Sequence, residues 1–245
     1  MPRPARSARP ARPARPARSS AGRLTRSRED YLKALHALAT GEAPVAVGEL
    51  ARRLGVSPPS VTNMLARLAG ERLVTHAPRE GAKLTALGRR RALETVRRHR
   101  LLETFLVRTL GLDWADAHED AEVLEHAVSD RVLEALATHM GNPTEDPHGH
   151  PIPDRQGRLE RRSLVPLASL RTGERAVVRE IRDRDVRRMA RWKQAGLVPG
   201  AAVRMREVRE ADGVFEIEVG GEALVSAGEA VDGVLVQPAR ERARS

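Results

Sequence analysis

Apolar residues recur every three or four positions in three successive segments near the start of the chain, and each segment predicts a helix. The first, SREDYLKALHALAT, has Ser27 as its expected cap. The second, VAVGELARRLG, ends at Gly55, a residue type that often stops helices. The third, VSPPSVTNMLARLAGERLV, has Ser57 as cap and Pro58 at its first position. LVTHAPREGAKLTALG then predicts a β-hairpin with its tip at residues 79–81.

Helix, short helix, turn, helix and hairpin in this order are typical of a winged helix-turn-helix domain that binds DNA. The exposed face of the third helix carries short hydrogen-bonding side chains, which suit close approach to a major groove. Pro59 would offer an apolar contact to a thymine methyl, and Asn63 hydrogen bonds to a base edge. An ordinary helical subdomain with a solvated polar face is the alternative. The predicted DNA-facing residues are Ser57, Pro59, Ser60, Thr62, Asn63, Arg67, Arg79 and Lys83.

Helical periodicity returns at Arg89 and continues to about Met140. GNPTEDPHGHPIPDRQGRLERR is rich in Pro, Gly and charge and predicts a connector. Beyond it, LRTGERAVVREI, AAVRMREVRE, GVFEIEVG and EALVSA alternate apolar and polar residues, and the helical DVRRMARWKQAGL interrupts them. The expected fold class is therefore mainly α, with a small β domain of the SH3-like barrel type.

These segments divide the chain into six parts. They are an Arg/Pro/Ala-rich tail at 1–26, the winged helix-turn-helix domain at 27–92, a second helical domain at 93–144, the linker at 145–162, the barrel at 163–238 and a tail at 239–245. We expect the first tail to be disordered and solvated rather than a phosphate-binding arm.

Charge changes this picture little. The net charge is +10, but residues 1–28 hold nine arginines and no acid, so the rest of the chain is at about +1. DNA binding by the folded part must therefore rest on local pattern. Neither a bilayer-spanning apolar run nor a signal-peptide core is evident, so a cytoplasmic protein is expected.

The segment AHEDAEVLEHAVSD carries the candidate chemistry. Its spacing places acids and histidines on one helix face, and a similar pair precedes it, within surroundings that are otherwise apolar. Buried carboxylates are costly unless neutralised, and a divalent ion neutralises several at once. Because the chain has no cysteine, the possible ligands of such a site are His, Asp, Glu and Met. The candidates are Asp30, His99, Glu103, His118, Glu122, Glu125 and His126.

Catalysis is less well supported than binding. A zinc-protease signature would need histidine at position 122, where Glu122 stands. A di-iron bundle would need glutamate three residues before His99 and His126, where both residues are valine. No serine or lysine is evidently poised as a nucleophile. We therefore expect a binding protein and no enzyme, although a metalloenzyme and a metal-independent winged-helix regulator stay open as alternatives.

The segments EDYLKALHAL, RRHRLLETFL, EVLEHAVSD, GHPIP and WKQAGLVPG make residues 27–237 resemble the diphtheria toxin repressor and manganese transport regulator family. The resemblance implies a homodimeric repressor of metal-homeostasis genes that binds a palindromic operator, joined by the second helical domain and ending in a FeoA-like barrel. It implies a primary metal site of Asp30, Glu122, Glu125 and His126. It implies an ancillary site of His99, Glu103 and His118, completed from the barrel by Glu180 and Asp183.

Departures within the family bear on the metal. Iron-responsive members have methionine and cysteine where this chain has Asp30 and Glu122. Hard oxygen ligands favour Mn(II), with Fe(II) as the alternative. The manganese-responsive branch has a further glutamate where this chain has Lys33, so two separate sites are expected rather than a binuclear one. If Glu180 and Asp183 complete the ancillary site, metal would also dock the barrel.

Overall fold

The computed structural model describes residues 24–239, apart from residues 40, 42, 78, 115, 184 and 210–212. Most of the predicted N-terminal tail, and residues 240–245 of the C-terminal one, lie outside the described residues.

Three helices open the described part: α1 (Arg26–Leu38), α2 (Val47–Leu54) and α3 (Pro58–Gly70). α2 ends at Gly55, whose φ of 65° places it in the left-handed region that suits glycine. Ser57 caps α3 by accepting a hydrogen bond from the Ser60 amide at 3.4 Å, as predicted. The prediction of Ser27 as the cap of α1 was wrong. Ser27 lies inside that helix, and Thr25 occupies the cap position without a side-chain capping bond.

A wing follows α3, formed by the antiparallel strands β1 (Val74–Ala77) and β2 (Gly81–Leu84). Val45 pairs with Ala82 through two backbone hydrogen bonds of 2.9 Å, so the wing is fastened to the segment before α2. The buried faces of α1, α2, α3 and the wing enclose one apolar core. These elements form the predicted winged helix-turn-helix unit.

The second helical part consists of α4 (Ala86–Arg108), α5 (Ala117–Ala127) and α6 (Asp130–His139). α4 begins three residues before the predicted Arg89, because Thr85 caps it by accepting from the Gly88 amide at 3.0 Å. The periodicity did not reveal the break after α5, where Val128 is extended. Ser129 then caps α6.

The C-terminal part is a six-stranded antiparallel sheet in the order β3-β8-β4-β5-β6-β7. Its elements are β3 (Val165–Pro166), β4 (Arg175–Ile181), α7 (Val186–Gln194), β5 (Ala202–Arg209), β6 (Val214–Val219), β7 (Glu222–Ala227) and β8 (Val234–Pro238). The four long strands and the helix were predicted, whereas β3 and β8 were missed. β8 lies between β3 and β4, so it is an interior strand of the sheet.

The barrel packs against the helical part through the connector. Trp114, from the loop between α4 and α5, is buried in the apolar core of the barrel. The Ile181 amide donates to the carbonyl of His148 at 2.9 Å. Gly149 lies so close to the carbonyl of Arg179 that a Cβ would fall 1.8 Å from its oxygen. These contacts bring the end of β4 to the face of α4 and α5 that carries the candidate ligands.

No helix in the described part of the chain is both long enough and apolar enough to cross a membrane.

Candidate metal centre

Two sets of ligand-type side chains occur within the described residues, and in each set the donor atoms lie within 4.8 Å of one another. The first set joins Asp30 of α1 to Glu125 and His126 of α5. Nε2 of His126 lies 3.0 Å from Asp30 Oδ1 and 3.3 Å from Glu125 Oε1. This set therefore spans the winged helix-turn-helix unit and the second helical domain.

Glu29, the neighbour of Asp30, holds the other side of the same imidazole. Nδ1 of His126 lies 2.7 Å from Glu29 Oε2, and Glu29 is buried. When Nδ1 carries the proton and donates it to this carboxylate, the Nε2 lone pair points toward Asp30 and Glu125. Glu29 was not predicted as part of the site, because an acid in the first turn of a helix is ordinary.

The second set consists of His99 and Glu103, one turn apart on α4, and His118 of α5. Glu103 Oε1 lies 3.5 Å from His118 Nδ1 and 3.8 Å from His99 Nε2. The two imidazoles are themselves in contact, with His99 Nε2 3.0 Å from His118 Nδ1. His99 and Glu103 have the predicted i, i+4 spacing, and they lie on a largely buried face of α4.

A third imidazole, which the sequence analysis missed, faces the same carboxylate. His148 of the connector is buried, and its Nε2 lies 3.3 Å from Glu103 Oε1. Asp146 holds this turn by accepting the backbone amides of His148 and His150, both at 2.9 Å. The sequence PHGH shows only that two histidines are present. A connector has no periodicity that would indicate which way their side chains face.

A hydrogen bond links the two sets. His99 Nδ1 lies 2.7 Å from Glu125 Oε2, while the other oxygen of Glu125 belongs to the first set. Glu125 is completely buried. Glu125 and His99 therefore hold each other in place. The second oxygen of Glu125 remains in the first set, and Nε2 of His99 remains in the second set.

Glu122 belongs to neither set, although its neighbours are His118 of the second set and a lysine. Its Oε1 lies 3.5 Å from His118 Nε2 and 3.4 Å from Lys33 Nζ. Lys33 also reaches Glu125 Oε1, at 2.6 Å. The structure therefore does not place Glu122 beside Asp30 and His126, and an ammonium group occupies the space between the two glutamates.

Ionisation around the second set favours charged pairs. Burial alone would raise the pKa of Glu103, but His118 and His148 lower it well below its usual range. The hydrogen bond with His118 likewise holds the pKa of Glu122 far below its usual value. Conversely, the neighbouring carboxylates of Glu103 and Glu122 raise the pKa of His118 to about 9. A cation that takes His118 as a ligand at neutral pH must therefore displace a proton.

In the first set the two carboxylates differ. Burial would raise the pKa of Glu125, yet His99 and Lys33 lower it below its usual value. Burial does raise the pKa of Asp30, although His126 and Lys33 act against that rise. Glu125 is thus the more firmly ionised member of this set.

Glu180 and Asp183 of the barrel line the same cleft as His99, Glu103 and His118, a cavity of about 840 Å³. Neither belongs to the two ligand sets. Glu180 Oε2 accepts from Arg182 at 2.7 Å, and Asp183 pairs with Arg188. The structure thus brings these two residues to the predicted place but gives both an arginine partner.

The predicted DNA-facing residues all lie on the exposed surface of α3 and the wing. Asn63 and Arg67 are on the side of α3 opposite the buried Val61, Leu65 and Leu68. Thr62 donates its hydroxyl to the Pro58 carbonyl at 3.1 Å, which fixes its rotamer. The helix therefore presents a polar face free of core contacts, as recognition in a major groove requires.

Comparison with known families agrees with this arrangement. The iron dependent repressor N-terminal DNA binding domain matches residues 23–82. The iron dependent repressor metal binding and dimerisation domain matches residues 85–154, and the FeoA domain matches residues 165–237.

Individual proteins give the same result. The iron-dependent repressor IdeR of Mycobacterium tuberculosis (strain ATCC 25618 / H37Rv) is 32% identical over 192 residues, which cover 74% of this chain and 84% of that protein. IdeR of Mycobacterium leprae is 31% identical over 229 residues, covering 87% and 98%. A solved manganese-dependent transcriptional repressor in complex with manganese is 35% identical, with a TM-score of 0.79, covering 86% of this chain and 100% of that one.

These matches confirm the predicted resemblance: the chain belongs to the iron-dependent repressor family, the metal-dependent transcriptional repressors that include IdeR, the diphtheria toxin repressor and MntR.

Proposed function

We propose that this protein is a homodimeric transcriptional repressor that Mn(II) activates, with Fe(II) as the alternative ion, and that it controls genes of metal-ion homeostasis. One observation carries the proposal. Asp30 lies on a helix of the DNA-binding domain, and its nearest ligand-type partners, Glu125 and His126, lie on a helix of the dimerisation domain. A divalent ion held there joins the two domains.

The residues present fit such an ion. In the first set, Asp30, Glu125 and His126 offer two carboxylates and one imidazole, with no sulfur ligand. Hard oxygen ligands suit Mn(II) and Fe(II) better than they suit softer ions. The general affinity series of divalent ions favours later transition metals, so the supply of metal in the cell must contribute to selectivity. Glu122 completes this primary site by turning from His118 and Lys33 toward the ion.

The second set fits an ion as well. Glu103 Oε1 is buried and makes no hydrogen bond among the described residues, although three imidazoles face it at 3.3 to 3.8 Å. We propose His99, Glu103, His118 and His148 as the ancillary ligands. Glu180 and Asp183 would join them only by exchanging their arginine partners for the ion.

DNA binding follows from the position of α3. In a dimer, two copies of this helix must enter successive major grooves about 34 Å apart, on a palindromic operator. The ligands on α1 and α5 hold the DNA-binding domain in one placement on the dimerisation domain. Activation is therefore a shift between existing placements, limited by the difference in ion affinity between them.

The protein acts by binding and not by catalysis under this proposal. The bonds to Glu29 and between His99 and Glu125 orient the ligand side chains rather than activate a nucleophile. A metal-independent winged-helix regulator is the second candidate, and a metalloenzyme the third.

Fluorescence anisotropy with a palindromic promoter fragment tests the proposal. DNA affinity should rise at least about tenfold with Mn(II) or Fe(II), the usual size of an allosteric coupling. Glu125→Gln or His126→Gln should remove that response, and Asn63→Ala should weaken DNA binding with the metal response retained. The exposed Glu222 of β7 gives the control variant Glu222→Gln, which should behave as wild type.

Each other outcome supports a rival. Equal DNA binding with and without every metal would favour the metal-independent regulator. No DNA binding under any condition, together with tight metal binding, would favour a metalloenzyme.

A further inference from the structure

A lysine lies inside the carboxylate cluster of the primary site. Lys33, one turn after Glu29 on α1, places its Nζ 2.6 Å from Glu125 Oε1 and 3.4 Å from Glu122 Oε1. Its side chain is 18% exposed, and that of Glu125 is fully buried. The ammonium is therefore shielded from water, and its charge acts strongly on its neighbours. An ion pair on the exposed surface would be weaker.

The lysine and the proposed ion require the same oxygen atom. Glu125 Oε1, the atom nearest to the ammonium, is also the Glu125 atom that faces His126 Nε2, at 3.3 Å. An ion bound between Asp30 and His126 would stand within a few ångströms of Lys33 Nζ. Because like charges at this separation repel strongly in a partly buried site, the two cations cannot occupy the site with full affinity.

The lysine also connects the same two elements as the ion. It extends from α1 to two glutamates of α5, as the proposed ion would through Asp30 and Glu125. It can therefore supply part of the bridge by itself.

We propose that Lys33 is a tethered cation that competes with the activating metal: it bridges α1 and α5 when no ion is bound, and it must leave Glu125 and Glu122 when the ion enters. This inference rests on the proposed function of the primary site. It assigns to Lys33 two effects on regulation. The lysine weakens metal binding, which raises the ion concentration needed for activation, and it gives the metal-free protein some affinity for DNA.

Substitution of Lys33 separates these effects. In Lys33→Met, which keeps the length of the side chain, Mn(II) should bind to the purified full-length protein about ten- to a hundredfold more tightly, since a repelling charge is gone. Free Mn(II) counted by electron paramagnetic resonance gives the affinity directly. The metal-free variant should bind the operator less tightly than the metal-free wild type, and its melting temperature should rise more when Mn(II) is added.

Arg206 provides a matched control. It is also a cation next to two glutamates, 3.0 Å from Glu218 and 3.6 Å from Glu216, but it lies on β5 of the barrel. Arg206→Met should leave Mn(II) affinity unchanged. Lys33→Arg, which keeps the charge, should stay close to wild type. Lys33→Gln repeats the neutral substitution if the methionine variant does not fold.

The outcomes are distinct. If wild type binds Mn(II) and both neutral variants bind it with the same affinity, Lys33 is not a competitor and the inference is overturned. If neither wild type nor the neutral variants bind Mn(II) or Fe(II), the proposed function itself fails, and this inference fails with it. Tighter binding in the neutral variants together with stronger metal-free DNA binding would overturn the bridging role and retain the competition.

Discussion

At the residue scale, the contact between Glu29 and His126 determines how the primary site is oriented. Glu29→Ala removes the acceptor 2.7 Å from Nδ1, so the ring loses both its preferred tautomer and its fixed orientation. We expect Mn(II) affinity to fall about tenfold to a hundredfold, as other outer-shell substitutions do, with Glu29→Gln in between. A binding isotherm on the purified protein measures this.

Glu49 gives the control for Glu29. It is likewise an acid in the first turn of a helix, but it is exposed on α2, so Glu49→Ala should leave Mn(II) binding unchanged. Equal Mn(II) affinity in Glu29→Ala and wild type would mean that Glu29 serves only the helix terminus.

The sequence allowed most ligand-type residues to be found, because His and Glu one turn apart have few other reasons to share an apolar face. Glu29 was missed since its position is also explained by the helix dipole. His148 was missed since a connector gives no periodic signal. The place of Lys33 between two glutamates of α5 depends on how α1 packs against α5. No local sequence pattern shows that packing.

At the scale of elements, one buried arginine holds the corner between α5 and α6. Arg98 of α4 donates from Nε to the Glu125 carbonyl at 2.8 Å, and its other nitrogens reach the Val128 carbonyl and Asp130. Arg98→Met leaves these carbonyls without this donor and should reduce the free energy of unfolding by about 2 kcal/mol, as for buried acceptors that lose their hydrogen bonds. Urea unfolding measures the loss.

Arg91 of the same helix is the matched control for Arg98. It pairs with Glu94, at 2.9 Å on a half-buried surface, so Arg91→Met should cost about 1 kcal/mol or less. A similar loss in both variants would show that the corner does not depend on Arg98.

Long periodic elements were predicted well, and interruptions and short elements were not. Val128 and Ser129 fit the helical period, so the break between α5 and α6 was hidden. β8 has only three apolar residues in succession, too few for a period, yet it pairs with both β3 and β4. Its place follows from how the strands pair across the sheet, which is a property of the whole domain.

At the scale of the whole molecule, the barrel is held by contacts that need no ion. Trp114 of the helical part inserts into the barrel core, whereas metal-dependent docking through Glu180 and Asp183 stays a prediction. Trp114→Ala should remove this anchor, since truncating a buried tryptophan costs about 3 to 5 kcal/mol. We expect a larger radius of gyration by solution scattering, both with and without Mn(II).

Two variants provide the comparison for Trp114. Asp113→Ala removes the exposed ion pair with Lys193, at 2.7 Å, and should leave the radius of gyration unchanged. If metal holds the barrel instead, Glu180→Ala/Asp183→Ala will lose the compaction caused by Mn(II), and Trp114→Ala will behave as wild type.

The joint between the wing and α4 has a mechanical consequence. Thr85 donates its hydroxyl to the Arg72 carbonyl at 2.7 Å, and Gly88 lies so close to Leu73 that a Cβ would fall 1.8 Å from the carbonyl oxygen. The start of α4 therefore cannot bend freely away from the wing, and this 23-residue helix acts as a lever arm of about 35 Å. A tilt of about 3° at the ligand-bearing end displaces the far end by about 2 Å over that length. Hydrogen bonds to base edges tolerate only a few tenths of an ångström, so a small rearrangement of ligands is enough to engage or release the operator.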